Sequence, residues 1–163
     1  MPNKSRRILG IDPGYGRLGY GVLEEKDRTL HCESYGCIET PAKEEAPVRL
    51  AKIAQELRSI LQRYQPDLIA VEKLFFAKNT KTALGVSEAR GVVLLIAQEY
   101  GAEIQEFTPV EVKLALTGYG QANKDQVQQM VERLLKVEEK IASDDAADAL
   151  AIAICAAHTK IPT

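Results

Sequence analysis

The stretch Ile8-Leu9-Gly10-Ile11-Asp12-Pro13-Gly14 decides how this chain is to be read. An unbroken run of apolar and small residues marks a short strand covered on both faces, hence a central one in its sheet. The run ends on a carboxylate. Pro13-Gly14 then turns the chain, with proline fixing φ and glycine free to take either sign. A second strand repeats the arrangement, since Leu68-Ile69-Ala70-Val71 closes on Glu72. Towards the C-terminus a helix opens Asp144-Asp145-Ala146-Ala147-Asp148 and runs on through Ala149-Leu150-Ala151-Ile152-Ala153-Ile154. A buried carboxylate without a partner costs several kcal/mol, so acids at such places call for a cation. Where the two strand ends and the helix start converge, the donors are all oxygen. That set suits Mg²⁺ or Mn²⁺ and points to metal-assisted phosphoryl chemistry.

The remaining elements follow outward from the first strand. Leu18–Leu23 and Leu30–Glu39 read as strands joined by a hairpin turn near Lys26-Asp27-Arg28, giving three consecutive antiparallel strands. Pro41–Pro47 reads as a charged connector. From Val48 to Tyr64, apolar residues at Leu50, Ile53, Leu57, Ile60, Leu61 and Tyr64 share one helical face. After the strand ending at Glu72 comes a loop, Lys73–Lys78, and then a helix over Asn79–Tyr100 capped by Gly101. Glu103–Phe107 is a fifth strand. Thr108-Pro109-Val110-Glu111 carries a capping box with proline at the first helical position, and Asn123 with Gln126 repeats the box. Ser143 caps the last helix, which reaches about His158. The order β-β-β-α-β-α-β-α-α-α predicts an α/β fold: a mixed five-stranded sheet, three antiparallel strands plus two parallel, with helices on both faces.

Composition narrows the function classes. A chain of 163 residues that is 45% apolar buries one good core, so residues 1–163 are expected to form a single domain. The basic N-terminus lacks the apolar run of a secretory signal, and no membrane span is present, so a cytoplasmic protein is expected. Three cysteines form no disulfide framework; Cys32 and Cys37 lie an odd step apart on a strand and are expected to face opposite ways. With two histidines and no nucleophile motif, neither a zinc site nor a Ser-His-Asp or Cys-His arrangement competes. The net charge of −2 argues mildly against a nucleic-acid partner. Local sign matters more, and from Lys73 to Ser87 the chain carries Lys73, Lys78 and Lys81 with no acid.

Each acid has a bland explanation to set beside the metal. Asp12 suits a turn, Glu72 could pair with a lysine, and Asp144 and Asp145 favour a helix dipole. Asp148 lies beyond that first turn, three residues from Asp145 and four from Asp144. Both spacings share a face, so periodicity leaves Asp144 and Asp145 equally placed. Conjunction at two strand ends and one helix start favours a single site.

Ile8-Leu9-Gly10-Ile11-Asp12-Pro13-Gly14, Val71-Glu72-Lys73-Leu74-Phe75-Phe76-Ala77-Lys78-Asn79 and Asp145-Ala146-Ala147-Asp148-Ala149-Leu150-Ala151-Ile152-Ala153 together resemble the RuvC family of bacterial Holliday-junction resolvases. The resemblance covers nearly the whole chain, with the motifs in order. It implies a ribonuclease H-like fold, a homodimer, and Mg²⁺-dependent paired nicking of four-way DNA junctions in recombination and repair. It further implies Asp12, Glu72, Asp145 and Asp148 as catalytic metal ligands, choosing Asp145 over Asp144. Two ions per site are expected, Mn²⁺ able to replace Mg²⁺, leaving 5′-phosphate and 3′-hydroxyl ends. Functional association with the RuvA–RuvB branch-migration complex is implied as well.

For DNA contact, adjacent Phe75 and Phe76 cannot both enter one core in regular structure, which leaves one to stack on bases. The resemblance selects Phe75. Lys78 and Lys81 are candidate phosphate contacts; Lys113 and Lys124 match family positions with basic residues near the active site. Arg17 and Arg90 are further phosphate candidates, and His158 reads as a cation at a helix C-terminus. The apolar surface of the 79–100 helix exceeds one face, compatible with a dimer seam. Two other readings compete. YqgF-like nucleases acting on ribosomal RNA precursors also open with a strand and Asp-Pro-Gly, but the loop after Glu72 and the signature from Asp145 to Ala151 favour the RuvC family over them. An actin-like nucleotide-binding module shares the glycine-rich turn but needs two domains.

Overall fold

Hydrogen bonding in the computed structural model, which describes residues 4–14, 16–73 and 80–159 and only the backbone of 80 and 81, gives the expected element order. The strands are β1 (Arg6–Pro13), β2 (Arg17–Lys26), β3 (Thr29–Glu39), β4 (Leu68–Glu72) and β5 (Glu103–Phe107). The helices are α1 (Ala46–Tyr64), α2 (Thr80–Tyr100), α3 (Pro109–Thr117), α4 (Lys124–Leu135) and α5 (Asp144–His158). The sheet runs β3-β2-β1-β4-β5, with β1 to β3 antiparallel and β4 and β5 parallel to β1.

Period-two alternation assigns the two cores. Leu9, Ile11, Ile69 and Val71 pack beneath α1 and α2. Ile8, Leu68 and Ala70 pack on the other face with α5, α3 and α4. Alternation from Ile11 and Val71 therefore sends the next residues, Asp12 and Glu72, towards α5. The parallel register Gly10↔Ala70 and Ile11↔Val71 sets those two acids side by side.

Three expectations need correcting. Helix α1 starts at Ala46 rather than after the connector, because Pro47 falls in its first turn, where an N–H has no helical partner to lose. Strand β2 continues through Glu24, Glu25 and Lys26, which pair with His31, Leu30 and Thr29. Their charges mimic a turn, but the turn itself is only Asp27-Arg28, both at positive φ (52° and 62°) as a tight hairpin requires. Cys32 and Cys37 share a face: Cys32 packs against the α5-side core and the Cys37 thiol lies 2.9 Å from Ser143 Oγ at the start of α5. A bulge places Ser34 opposite Val22 and Cys32 opposite Leu23, and the extra residue, Glu33, shifts the parity. All three cysteines are free thiols.

Candidate active site

Helix α5 delivers its acids by lying almost on the sheet. A Cβ on Gly10 would run into the Ala149 carbonyl and Ala153, and one on Gly19 into the Asp145 carbonyl. Glycine at these two strand positions thus lets the helix start descend to the level of Asp12 and Glu72. Ser143 fixes where the helix begins, its hydroxyl accepting from the Ala146 N–H at 3.2 Å.

The four sequence-identified acids meet at this place. Burial raises the Asp12 pKa to about 9, reinforced by a hydrogen bond and charge repulsion from Glu72 and by the charges of Asp148 and Asp145. Burial likewise raises Asp148 to about 6; Lys124 opposes the shift, while Glu72, Asp145 and Asp144 add to it. Asp145 is half-buried and acts on Asp12, whereas Asp144 is exposed and faces Lys124 at 3.5 Å. The position left open by periodicity therefore falls to Asp145 inside the cluster and Asp144 at its rim. Among the described residues no three acid, histidine or cysteine side chains stand at the separations of a closed metal cage. The acids act on one another through their charges.

Two lysines border the cluster. A cleft of about 270 Å³ is lined by Glu72, Asp148, Lys113, Asn123 and Lys124. Lys124 Nζ stands 3.6 Å from the Asp148 carboxylate. Desolvation lowers the Lys124 pKa, but Asp148 and Asp144 more than reverse it, so the ammonium is held charged. Both lysines are placed by the capping boxes read from sequence: Thr108 and Glu111 start α3, and Asn123 and Gln126 start α4. The turn between these helices is hydrogen-bonded, with the Thr117 hydroxyl donating to the Lys113 carbonyl at 2.7 Å and accepting from the Tyr119 N–H at 3.1 Å.

Other candidates fall elsewhere. Phe75 and Lys78 lie outside the described residues, and Lys81 sits in the first turn of α2 with its side chain outside the description. Arg17 pairs with Glu39 at 3.8 Å on the surface. Arg90 is engaged within the protein: on the face opposite α5 its Nε donates to the Glu72 carbonyl at 3.2 Å and its Nη2 to Glu106 at 2.7 Å. His158 is exposed ten residues beyond Asp148, about 15 Å along the helix, and takes no part in the cluster. Sequence reading missed Gly19 and Asn123 as parts of the site. Gly19 had a signal in its place in β2, and Asn123 registered only as a cap.

Known proteins resemble the chain throughout. The family model for crossover junction endodeoxyribonuclease RuvC matches residues 8–156. A crossover junction endodeoxyribonuclease RuvC from Petrotoga mobilis is 52% identical over 148 residues, 91% of either chain. The structure of Thermus thermophilus RuvC aligns with a TM-score of 0.86 and 34% identity over 93% of both chains. The T. thermophilus RuvC in complex with Holliday junction substrate gives the same score and identity over 92% of both. The fold is ribonuclease H-like, the five-stranded mixed sheet carrying helices on both faces.

Proposed function

Because this chain belongs to the RuvC family of crossover junction endodeoxyribonucleases, we propose that residues 1–163 form one nuclease domain that resolves four-way DNA junctions. The observation that carries this reading is the meeting of Asp12, Glu72, Asp145 and Asp148 at the β1–β4 strand ends and the start of α5. The YqgF-like and actin-like readings are not favoured, since family membership extends over nearly all of the chain.

The donor set fits a divalent ion. Its oxygens are hard, and a carboxyl held protonated to about pH 9 by burial and by three neighbouring acids is relieved when a cation takes the proton's place. Asp12, Glu72, Asp145 and Asp148 would hold Mg²⁺ or Mn²⁺, two ions per site. Bound there, the ions supply Lewis acidity to the scissile phosphate and to the water that attacks it. The chain's own residues do the rest. Asp12 releases its proton as the site fills. Lys124 and Lys113, at the cleft wall, hold the phosphate against the acids. The expected products are a 5′-phosphate and a 3′-hydroxyl.

Two nicks of opposed strands are required to leave ligatable duplexes, and a twofold dimer presents two sites in that relation. Helix α2 supports a dimer: Leu84 and Leu95 are 65% and 58% exposed, and Gly91 between them has open space around it. Junction DNA is the substrate in this reading, Phe75, Lys78 and Lys81 its further contacts, and the RuvA–RuvB complex a functional associate. The setting is the cytoplasm; no described helix is long and apolar enough to cross a membrane. The deciding experiment mixes the protein and Mg²⁺ with a synthetic four-way DNA junction and, separately, with structured RNA. Paired symmetric nicks in the junction are expected. Cleavage of the RNA with the junction left whole would overturn the proposal.

A further inference from the structure

We infer that Arg90 is a positioning residue for the cleavage site, acting through the backbone of Glu72 from the face of the sheet opposite α5. Its guanidinium forks. Nε donates to the Glu72 carbonyl at 3.2 Å, and Nη2 donates to Glu106 Oε2 at 2.7 Å. The side chain is 17% exposed and Glu106 34%, so the pair is shielded enough to hold one geometry.

The acceptors explain why this matters. Glu72 is the last residue of β4, where the ladder to β1 has already ended at Ile11↔Val71. Beyond it the chain is held by the Lys73 N–H, which donates to the Phe107 carbonyl at 2.7 Å. Glu106 precedes Phe107, and Phe107 leads into the Thr108 cap and helix α3, which carries Lys113. One guanidinium on α2 therefore ties together the ends of β4 and β5. From those ends project an acid of the cluster on one side and a cleft lysine on the other. Alternation makes this possible: Glu72 sends its side chain towards α5 while its carbonyl, and the side chain of Glu106, remain within reach of α2. Lysine has no fork and cannot serve both acceptors in this geometry.

The inference rests on the resolvase reading, and its test separates the two. The full chain carrying Arg90→Met with Glu106→Gln, which leaves no orphaned charge, is compared with Arg90→Lys and the unaltered protein. Three quantities are measured: Mn²⁺ affinity by titration without DNA, junction affinity with Ca²⁺, and single-turnover junction cleavage. The double variant is expected to bind Mn²⁺ about tenfold more weakly and to cut at least about tenfold more slowly, as loss of an outer-shell partner does. Junction affinity is expected to stay within about twofold, and Arg90→Lys to fall between. Unchanged Mn²⁺ affinity and cleavage in the double variant would overturn the inference, as would losses that merely track melting temperature or junction affinity. Should the double variant not fold, the same comparison is made on Arg90→Lys alone. If the unaltered protein leaves junctions whole, the resolvase reading fails, while the Mn²⁺ titration still decides the role of Arg90.

Discussion

Asp12 and Glu72, sixty positions apart in the chain, stand side by side at the ends of two parallel neighbouring strands, close enough that Glu72 raises the pKa of Asp12. Burial first, and then the neighbouring acids Glu72, Asp148 and Asp145, favour the protonated form of Asp12, whose pKa rises from 3.8 to about 9. The folded chain thus binds a proton that the unfolded chain has lost above about pH 4. Stability contributed by this group is full below the unfolded value and declines as pH climbs from about 4 towards about 9. Divalent ions compete with the same proton, so metal affinity changes in the opposite sense and strengthens with pH over that range. Titration of Mn²⁺ in buffers of different ionisation enthalpy should register proton release near neutral pH, and Asp12→Asn should abolish it. The same variant is expected to raise the melting temperature of the metal-free protein by a few degrees, about 1–2 kcal/mol, because it removes the strain between acids.

Single replacements should separate the cluster from its rim. Asp12→Asn, Glu72→Gln, Asp145→Asn and Asp148→Asn are each expected to cut at least about a hundredfold more slowly with Mg²⁺ while binding junctions normally. Asp144→Asn, exposed and facing Lys124, should cut within about threefold of the unaltered protein, consistent with a surface ion pair. A quenched-flow assay on a labelled four-way junction measures both. Full activity in the Asp148 variant would be the most damaging result.

How far the chain could be read without coordinates depended on period and punctuation. The strand ends were legible because an acid closing a run of buried residues is anomalous on its own, and Pro-Gly marks the turn beside it. The capping boxes at Thr108 and Asn123 were equally plain, since each is a local exchange of hydrogen bonds. Long-range pairing was not legible. Arg90 looks like any surface arginine until Glu106 and the Glu72 carbonyl are brought to it by the sheet. The shared face of Cys32 and Cys37 was hidden by a bulge that leaves no residue signature at Glu33. Periodicity left Asp144 and Asp145 level and only the family resemblance chose Asp145; the close approach of α5 over Gly10 and Gly19, which a side chain there would block, is what sets Asp145 rather than Asp144 beside Asp12.

That close approach predicts a cost for the smallest substitution. Gly10→Ala must push against the Ala149 carbonyl and Ala153 in a fully packed region. Overpacking of this kind costs about 1–3 kcal/mol, so the melting temperature should drop by several degrees. Cleavage is expected to fall further than stability, because α5 must lift and carry Asp145 and Asp148 away from Asp12. Thermal denaturation and cleavage rates measured on the same preparation check both halves.

Lys124 and Lys113 should be distinguishable by the pH dependence of cleavage. Lys124 lies 3.6 Å from Asp148 and lowers the pKa of that acid. Lys124→Ala should therefore move the alkaline-going rise of the cleavage rate to higher pH, in addition to weakening the junction. Lys113→Ala should slow cutting without that displacement, as the cation that lowers the Asp148 pKa is Lys124. If each lysine contacts a phosphate, each replacement reduces the slope of log affinity against log salt by about one. Binding curves between low and moderate salt, with pH–rate profiles for both variants, provide the measurement.

The exposed stripe of α2 gives the last prediction. Leu84 and Leu95 lie eleven residues apart, about three helical turns, and so point the same way, with Gly91 between them leaving room for a close neighbour. Two copies packed along this stripe would bury apolar surface that a monomer exposes, while a glutamate at either leucine would place like charges face to face across the twofold axis. Leu84→Glu and Leu95→Glu should each shift the protein from dimer to monomer in light scattering. The acid cluster sits on the opposite side of the sheet from α2, so Mn²⁺ affinity should be retained. What disappears is simultaneous cutting: a monomer can nick one strand but cannot present a second site to the opposed strand within the lifetime of one complex. A supercoiled plasmid bearing an extruded cruciform reports the difference directly, since paired nicks give linear product and a single nick gives an open circle. Linear product from a monomeric variant would detach resolution from the α2 interface.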